Sequence, residues 1–177
     1  TLLLHLQTPR THRLRFMAGQ SVQLGLSLPG QGDIHTTYPL ASCPCDDRNL
    51  LFFVTRNEAD ALAHHLFSHD VKPGATLTVL GPTGEFVLNE GHRPLVFAAC
   101  DGSFGPIKSL IEHALSLDAA PSLSLFWLAT RSDGHFYSNQ CRAWSEALDQ
   151  FEYELVAHPD VALGAWQIAQ AMRADLF

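Results

Sequence analysis

The apolar pattern of this chain changes period at His92-Arg93-Pro94, and a chain that changes period there must change architecture there. Before that point the signals are short and strand-like. Ser21-Val22-Gln23-Leu24-Gly25-Leu26-Ser27-Leu28 alternates strictly, with every apolar residue on one face. Leu50 to Val54 is a short apolar run, Thr76 to Val79 alternates again, and Phe86-Val87-Leu88 reads as a brief strand. Gly and Pro punctuate these segments at Pro29-Gly30, Pro73-Gly74, Gly81-Pro82 and Gly84. Strands of this length and spacing predict a small antiparallel β-barrel. One helix interrupts it: Ala59, Leu62, Ala63 and Leu66 recur at helical spacing, with Asn57 and Asp60 as a capping pair at the start.

After Pro94 strands alternate with helices. Leu95–Cys100, Leu123–Leu128 and Phe151–Val156 read as buried strands. Between and after them run helical stripes: Ile107, Leu110, Ile111, Ala114 and Leu115; then Trp144, Ala147 and Leu148; then Ala165, Trp166, Ala169 and Met172. Such a series predicts an α/β domain with a parallel sheet, and it stops where a further strand is expected. The expected division is residues 1–92 for the barrel and 93–177 for the α/β domain.

Composition narrows the function classes. With 177 residues, 46% hydrophobic and 16% charged, the chain is globular and has ample core. Its net charge of −7 argues against a general nucleic-acid partner. The charge is uneven: seven Lys/Arg stand against eight Asp/Glu up to Pro94, and four against ten beyond it. No apolar run reaches the roughly 18–20 residues of a membrane span, and no signal peptide opens the text. With Thr1 in place of Met, a fragment or a processed chain is expected. Cys43-Pro44-Cys45 is too tight for an unstrained bridge, so Cys43, Cys45, Cys100 and Cys141 are all expected to be reduced, in an intracellular protein. Four cysteines at ferredoxin spacing are absent, so the chain is expected to carry no iron–sulfur cluster of its own.

Two segments carry the chemistry: Thr36-Thr37-Tyr38-Pro39-Leu40-Ala41-Ser42, and Ala99-Cys100-Asp101-Gly102-Ser103-Phe104-Gly105-Pro106-Ile107-Lys108-Ser109. Phe16-Met17-Ala18-Gly19-Gln20 and Gly81-Pro82-Thr83-Gly84-Glu85-Phe86 accompany them. In this order and spacing, over nearly the whole chain, the sequence resembles the ferredoxin–NADP reductase superfamily. Its bacterial oxygenase-reductase components and the CDP-6-deoxy-hexulose reductase type are the nearest in look.

The resemblance implies a flavin-binding barrel and an NAD(P)-binding α/β domain, the latter incomplete at its C-terminus. It implies a cytoplasmic oxidoreductase in which NADPH or NADH gives a hydride to FAD or FMN. The flavin then passes electrons to a redox partner such as a ferredoxin. Flavin contacts fall on Thr36, Tyr38, Pro39, Leu40, Ala41 and Ser42, with Tyr38 stacked on the ring. Nicotinamide-nucleotide contacts fall on Asp101, Gly102, Ser103, Phe104, Gly105, Pro106 and Arg131. No catalytic residue and no metal ligand is assigned.

Three sites depart from the family pattern. Thr36 stands where an Arg would hold the flavin phosphate, and Pro39 stands where a Ser would bond near the flavin N5. Thr lacks the bidentate cation, and Pro has no N–H. The first helix opens on Asn57-Glu58-Ala59-Asp60, whose carboxylates repel a phosphate. Asp101 brings negative charge to the nucleotide loop. His12, His35 and Arg56 are the candidate substitute cations. The alternative function is therefore a module that kept the fold, lost the cofactors, and acts as a structural or interaction subunit. Of the remaining residues, His64, His65 and His69 read as a solvated helix face, and Trp127, Trp144 and Trp166 as core. Cys100 reads as a buried inert thiol.

Overall fold

The computed structural model describes residues 1–30, 32–89 and 91–176. Its first half has five strands and one helix: β1 (Leu2–Gln7), β2 (Ser21–Leu28), β3 (Gly32–Pro39), β4 (Asn49–Val54), α1 (Ala61–Phe67) and β5 (Thr78–Thr83). β1 pairs antiparallel with β4, and β2 pairs antiparallel with both β3 and β5. The two sheets enclose one core. Val22, Leu24 and Leu26 from β2 meet Leu50, Phe52 and Val54 from β4. Leu62, Ala63 and Leu66 of α1 close the end. The alternation of β2 puts its apolar side chains on this inner face.

Several expectations need correction. β1 is a full strand, although no first barrel strand is evident in the sequence; it alternates half-buried and exposed residues as a sheet edge does. The strand expected at Thr76–Val79 lies at Thr78–Thr83, where it pairs with β2 from Gly25↔Thr78 to Ser21↔Thr83. Pro82 is tolerated there because β5 is an edge strand. Phe86-Val87-Leu88 is not a strand: Gly84, at φ +107°, turns the chain away, and Phe86 is exposed.

The second half runs β6 (Leu95–Cys100), a 3-10 turn (Asp101–Ser103), α2 (Phe104–Ser116), β7 (Leu123–Ala129), α3 (Ser138–Ala147), β8 (Phe151–Ala157) and α4 (Val161–Leu176). The three strands are parallel in the order β6-β7-β8. Central β7 is buried on both faces, hence the unbroken apolar run Leu125–Ala129. Leu123, Leu125 and Trp127 face α2 and α3, while Phe126 and Leu128 face α4. The expected α4 stripe is rotated. Ile168 packs on the sheet with Ala171 and Met172, and Trp166 is 61% exposed, so it is not core. Gly164 sets that rotation, because its missing Cβ lets Leu128 lie against the helix.

The two halves share core. Ala18, Ala41 and Phe53 of the barrel belong to the same buried cluster as Ile107, Leu110 and Trp127.

Candidate functional site

At the barrel, β3 and the start of α1 converge on one carboxylate. Tyr38 and Thr36 project from the same face of β3, two residues apart. Asp60 is the N-cap of α1, accepting from the Ala63 N–H at 3.0 Å. It also accepts the Thr36 hydroxyl at 3.0 Å and the phenol of Tyr38. Tyr38 is 7% exposed within the barrel core. Burial first, and then the Asp60 hydrogen bond and charge, push its phenol far above the usual range. Asn57 does not cap the helix; its side chain accepts from Ala59 in the preceding turn. Of the candidate substitute cations, Arg56 lies over the Phe67 ring, 4.9 Å from its centre, and His35 packs across the strand on Gly25.

Past β3 the chain runs against α2. Leu40, Ala41 and Ser42 are all buried. Lys108 donates to the Ala41 carbonyl at 3.1 Å and to Glu112 at 2.7 Å. Ser109 donates to the Ser42 carbonyl at 2.7 Å, and the Ser42 hydroxyl accepts from the Leu51 N–H at 3.2 Å. Two carbonyls with no strand partner are thereby satisfied across the seam between the halves. Pro39 and Gly105 also meet there. Beside them an aromatic cluster spans the seam. Phe104 stacks on Trp127 with centres 4.0 Å apart, and Phe53 contacts Phe136 at 4.9 Å and Tyr137 at 5.1 Å. Sequence reasoning missed Lys108 and this cluster. A signal for the lysine existed: Lys108 occupies a position of the buried stripe, four residues after Phe104 and three before Ile111.

The C-terminal ends of the parallel strands hold the second set of residues. Asp101, with φ +45°, turns its carboxylate toward the end of β7. It accepts the Thr130 N–H at 2.9 Å and the Thr130 hydroxyl, and its carbonyl accepts from the Trp127 indole at 3.1 Å. Arg131 is 3.9 Å from Asp101 and 3.6 Å from Asp133, and its side chain is 38% exposed. The Asp101 carboxylate is thus a brace between the β6 and β7 loops, not a charge aimed outward as its place in the sequence suggests. Ser103 is exposed and opens α2 without a side-chain cap; its hydroxyl instead accepts the Cys100 N–H at 2.7 Å.

These two sets differ in what they fit. On the nicotinamide side, Gly102 and the exposed Ser103 lie in the 3-10 turn that leads into α2, next to Arg131. That arrangement suits a dinucleotide phosphate. On the barrel side, Thr36, Tyr38 and the first turn of α1 all direct their hydrogen bonds to Asp60. Among the described residues no Lys or Arg bonds into that group, and Pro39 has no N–H to give. The barrel residues do not fit a flavin phosphate in this arrangement.

The cysteines also need correction. Cys43 and Cys45 are disulfide-bonded, with Cα atoms 5.2 Å apart. The turn that the Asp46 N–H closes on the Cys43 carbonyl, at 3.1 Å, brings their side chains together. Cys100 is partly exposed and not fully buried; burial, then the Asp101 charge, raises its thiol. Burial pushes the Cys141 thiol up to about 12. His65 pairs with Asp70 at 3.1 Å. Among the described residues no helix is long and apolar enough to cross a membrane.

No family model matches the chain. It is 33% identical over 141 residues to ferredoxin–NADP reductase B of Sorangium cellulosum, an alignment covering 79% of this chain and 57% of that protein. It is 25% identical over 158 residues to the CDP-6-deoxy-L-threo-D-glycero-4-hexulose-3-dehydrase reductase of Yersinia pestis, covering 89% and 46%. Among solved structures it is similar to a ferredoxin NADP+ reductase from Neisseria gonorrhoeae with bound FAD and NADP. There the TM-score is 0.72 at 20% identity, over 90% of this chain and 63% of that one. The chain spans about half the length of the curated relatives it matches.

Proposed function

This chain is a member of the ferredoxin–NADP reductase superfamily, and from that premise we propose that it is part of a flavin-dependent NAD(P)H oxidoreductase. In this reading it is an electron-transfer module that serves an iron–sulfur or other redox partner protein in the cytoplasm. Residues 1–92 form the flavin-type barrel and 93–177 the nicotinamide-nucleotide domain. Curated relatives named as reductases or electron-transfer components support the class of reaction.

The observation that carries the reading is the glycine-bearing 3-10 turn that leads from the end of β6 into α2. Gly102, Ser103, Phe104, Gly105 and Pro106 form the turn into the helix, and Arg131 stands beside it. The helix start turns a partial positive charge toward a pyrophosphate. Asp101 holds the neighbouring loop through Thr130 and so fixes where Arg131 stands. NADPH and NADH titrations test this. Binding below millimolar concentration, weakened about tenfold or more in Arg131→Ala, supports it, since a charge-assisted contact contributes about 1.5–3 kcal/mol. Absence of binding at millimolar coenzyme overturns it.

A second reading is favoured by one specific observation. Asp60 occupies the hydrogen-bond donors of Thr36, Tyr38 and α1, as a barrel without a flavin would. In that reading the chain is a cofactor-free structural or interaction subunit. Titration with FAD and FMN separates the two: retained flavin, seen in the visible spectrum, supports the oxidoreductase, and no uptake at millimolar flavin supports the second reading.

A further inference from the structure

We propose that Cys43 and Cys45 form a thiol–disulfide exchange site for a small-molecule thiol, with Cys45 as the sulfur that is attacked. The pair lies where the turn after Ala41 and Ser42 meets α2. It lines a groove of about 480 Å³ together with Leu3, His5, Asn49 and Leu51 of the barrel and Lys108 and Glu112 of α2. The two sulfurs are not equivalent. Cys43 is 6% exposed, whereas Cys45 is exposed. An incoming thiolate therefore reaches Cys45. The Cys45 N–H donates to the Cys43 sulfur at 3.2 Å, and such a bond stabilises Cys43 as the departing thiolate. Only one residue separates the cysteines, so the closed loop removes little chain entropy and the bond opens readily. Exposed disulfides of this kind are the labile ones, and in a reducing compartment a disulfide that forms is a redox-active one.

The exchange balances as follows. A thiolate bonds to Cys45, the Cys43–Cys45 bond breaks, and Cys43 leaves as a thiolate that takes up a proton. A second thiolate attacks the mixed disulfide, releasing the small disulfide and the Cys45 thiolate, which is protonated in turn. Two thiols are oxidised to one disulfide, and the protein gains two electrons and two protons. The turn that opens is joined directly to the carbonyls of Ala41 and Ser42, which Lys108 and Ser109 hold. The redox state is thereby read at the seam between the halves.

The test uses the glutathione disulfide, which runs the exchange in reverse, and needs no variant for its first arm. Wild-type chain equilibrated with oxidised glutathione is unfolded in N-ethylmaleimide and weighed. Labels on Cys100 and Cys141 alone, and on all four cysteines after reduction, are expected. Four labels without reduction overturn the proposal. In the second arm, Cys43→Ser and Cys45→Ser are exposed to oxidised glutathione in the folded state, and the adduct is mapped by peptide. Cys45 in the first variant is expected to react at least about tenfold faster than Cys43 in the second. Equal rates, or a faster Cys43, overturn the assignment of Cys45.

Discussion

The phenol of Tyr38 donates to the carboxylate of Asp60, and that same carboxylate caps α1. A β-strand and a helix terminus, 22 residues apart in sequence, thus depend on one acidic group. The residue that resembles a flavin-stacking tyrosine is committed to the interior of the barrel.

Asp60→Ala removes the cap and leaves the buried Tyr38 hydroxyl unpaired. The cap is worth about 1 kcal/mol and an orphaned buried hydroxyl costs about 1–3 kcal/mol, so a loss of about 2–4 kcal/mol is expected in urea unfolding. Asp60→Asn retains a good cap and should lose about half as much.

Alkaline pH should unpick the same pair. The folded-state pKa of Tyr38 is raised above its ordinary value of 10.0. Its contribution is therefore complete below pH 10 and is lost as pH rises past it, with a limiting slope of about 1.4 kcal/mol per pH unit. Wild-type chain should be more stable than Tyr38→Phe at pH 8, and the difference should shrink when unfolding is measured above pH 10. A gap that stays constant to pH 11 would count against the buried phenol.

Lys108→Ala should loosen the seam. It leaves the Ala41 carbonyl unsatisfied and Glu112, whose side chain is 26% exposed, without its partner. Because Glu112 keeps some water, the expected cost is about 1–3 kcal/mol, below that of a fully buried pair. Ser109→Ala, which orphans the Ser42 carbonyl, should cost about 1–2 kcal/mol. Thermal unfolding of both variants checks this.

Asp101→Gly tests the brace on the nucleotide loop. Glycine relieves the positive φ, worth up to about 1 kcal/mol. It also frees the Thr130 N–H and hydroxyl, and a net loss of about 1 kcal/mol is expected. Because the carboxylate points at Thr130 and not outward, NADPH affinity should not rise by more than about threefold, which calorimetry would read. A large gain would mean that the charge, and not the brace, governs that loop.

Native Cys141 should resist iodoacetamide at pH 8, since its buried thiol has a pKa pushed up to about 12 and the thiolate is the reactive form. Cys100, partly exposed, should label first. Mass mapping of briefly alkylated protein distinguishes them.

Much of the frame was legible in the sequence. Val22, Leu24 and Leu26 alternate, and strict alternation has one half-buried solution. Leu125–Leu128 is apolar without alternation, as a strand covered on both faces must be. Ile107, Leu110, Ile111 and Ala114 repeat at helical period and are buried as that period demands. These patterns are local, and local backbone geometry alone converts them into structure. What tertiary structure decided is which distant group each polar side chain meets. Asp60 could serve as a cap to its own helix from sequence alone, but only the placement of β3 beside α1 delivers Thr36 and Tyr38 to it. The rotation of α4, which exposes Trp166, follows from Leu128 lying against Gly164. The direction of the Asp101 carboxylate follows from Thr130 at the end of the neighbouring strand. The period of a segment determines which of its faces is buried; the hydrogen-bond partner of a buried polar group is set by whichever element the fold packs against it.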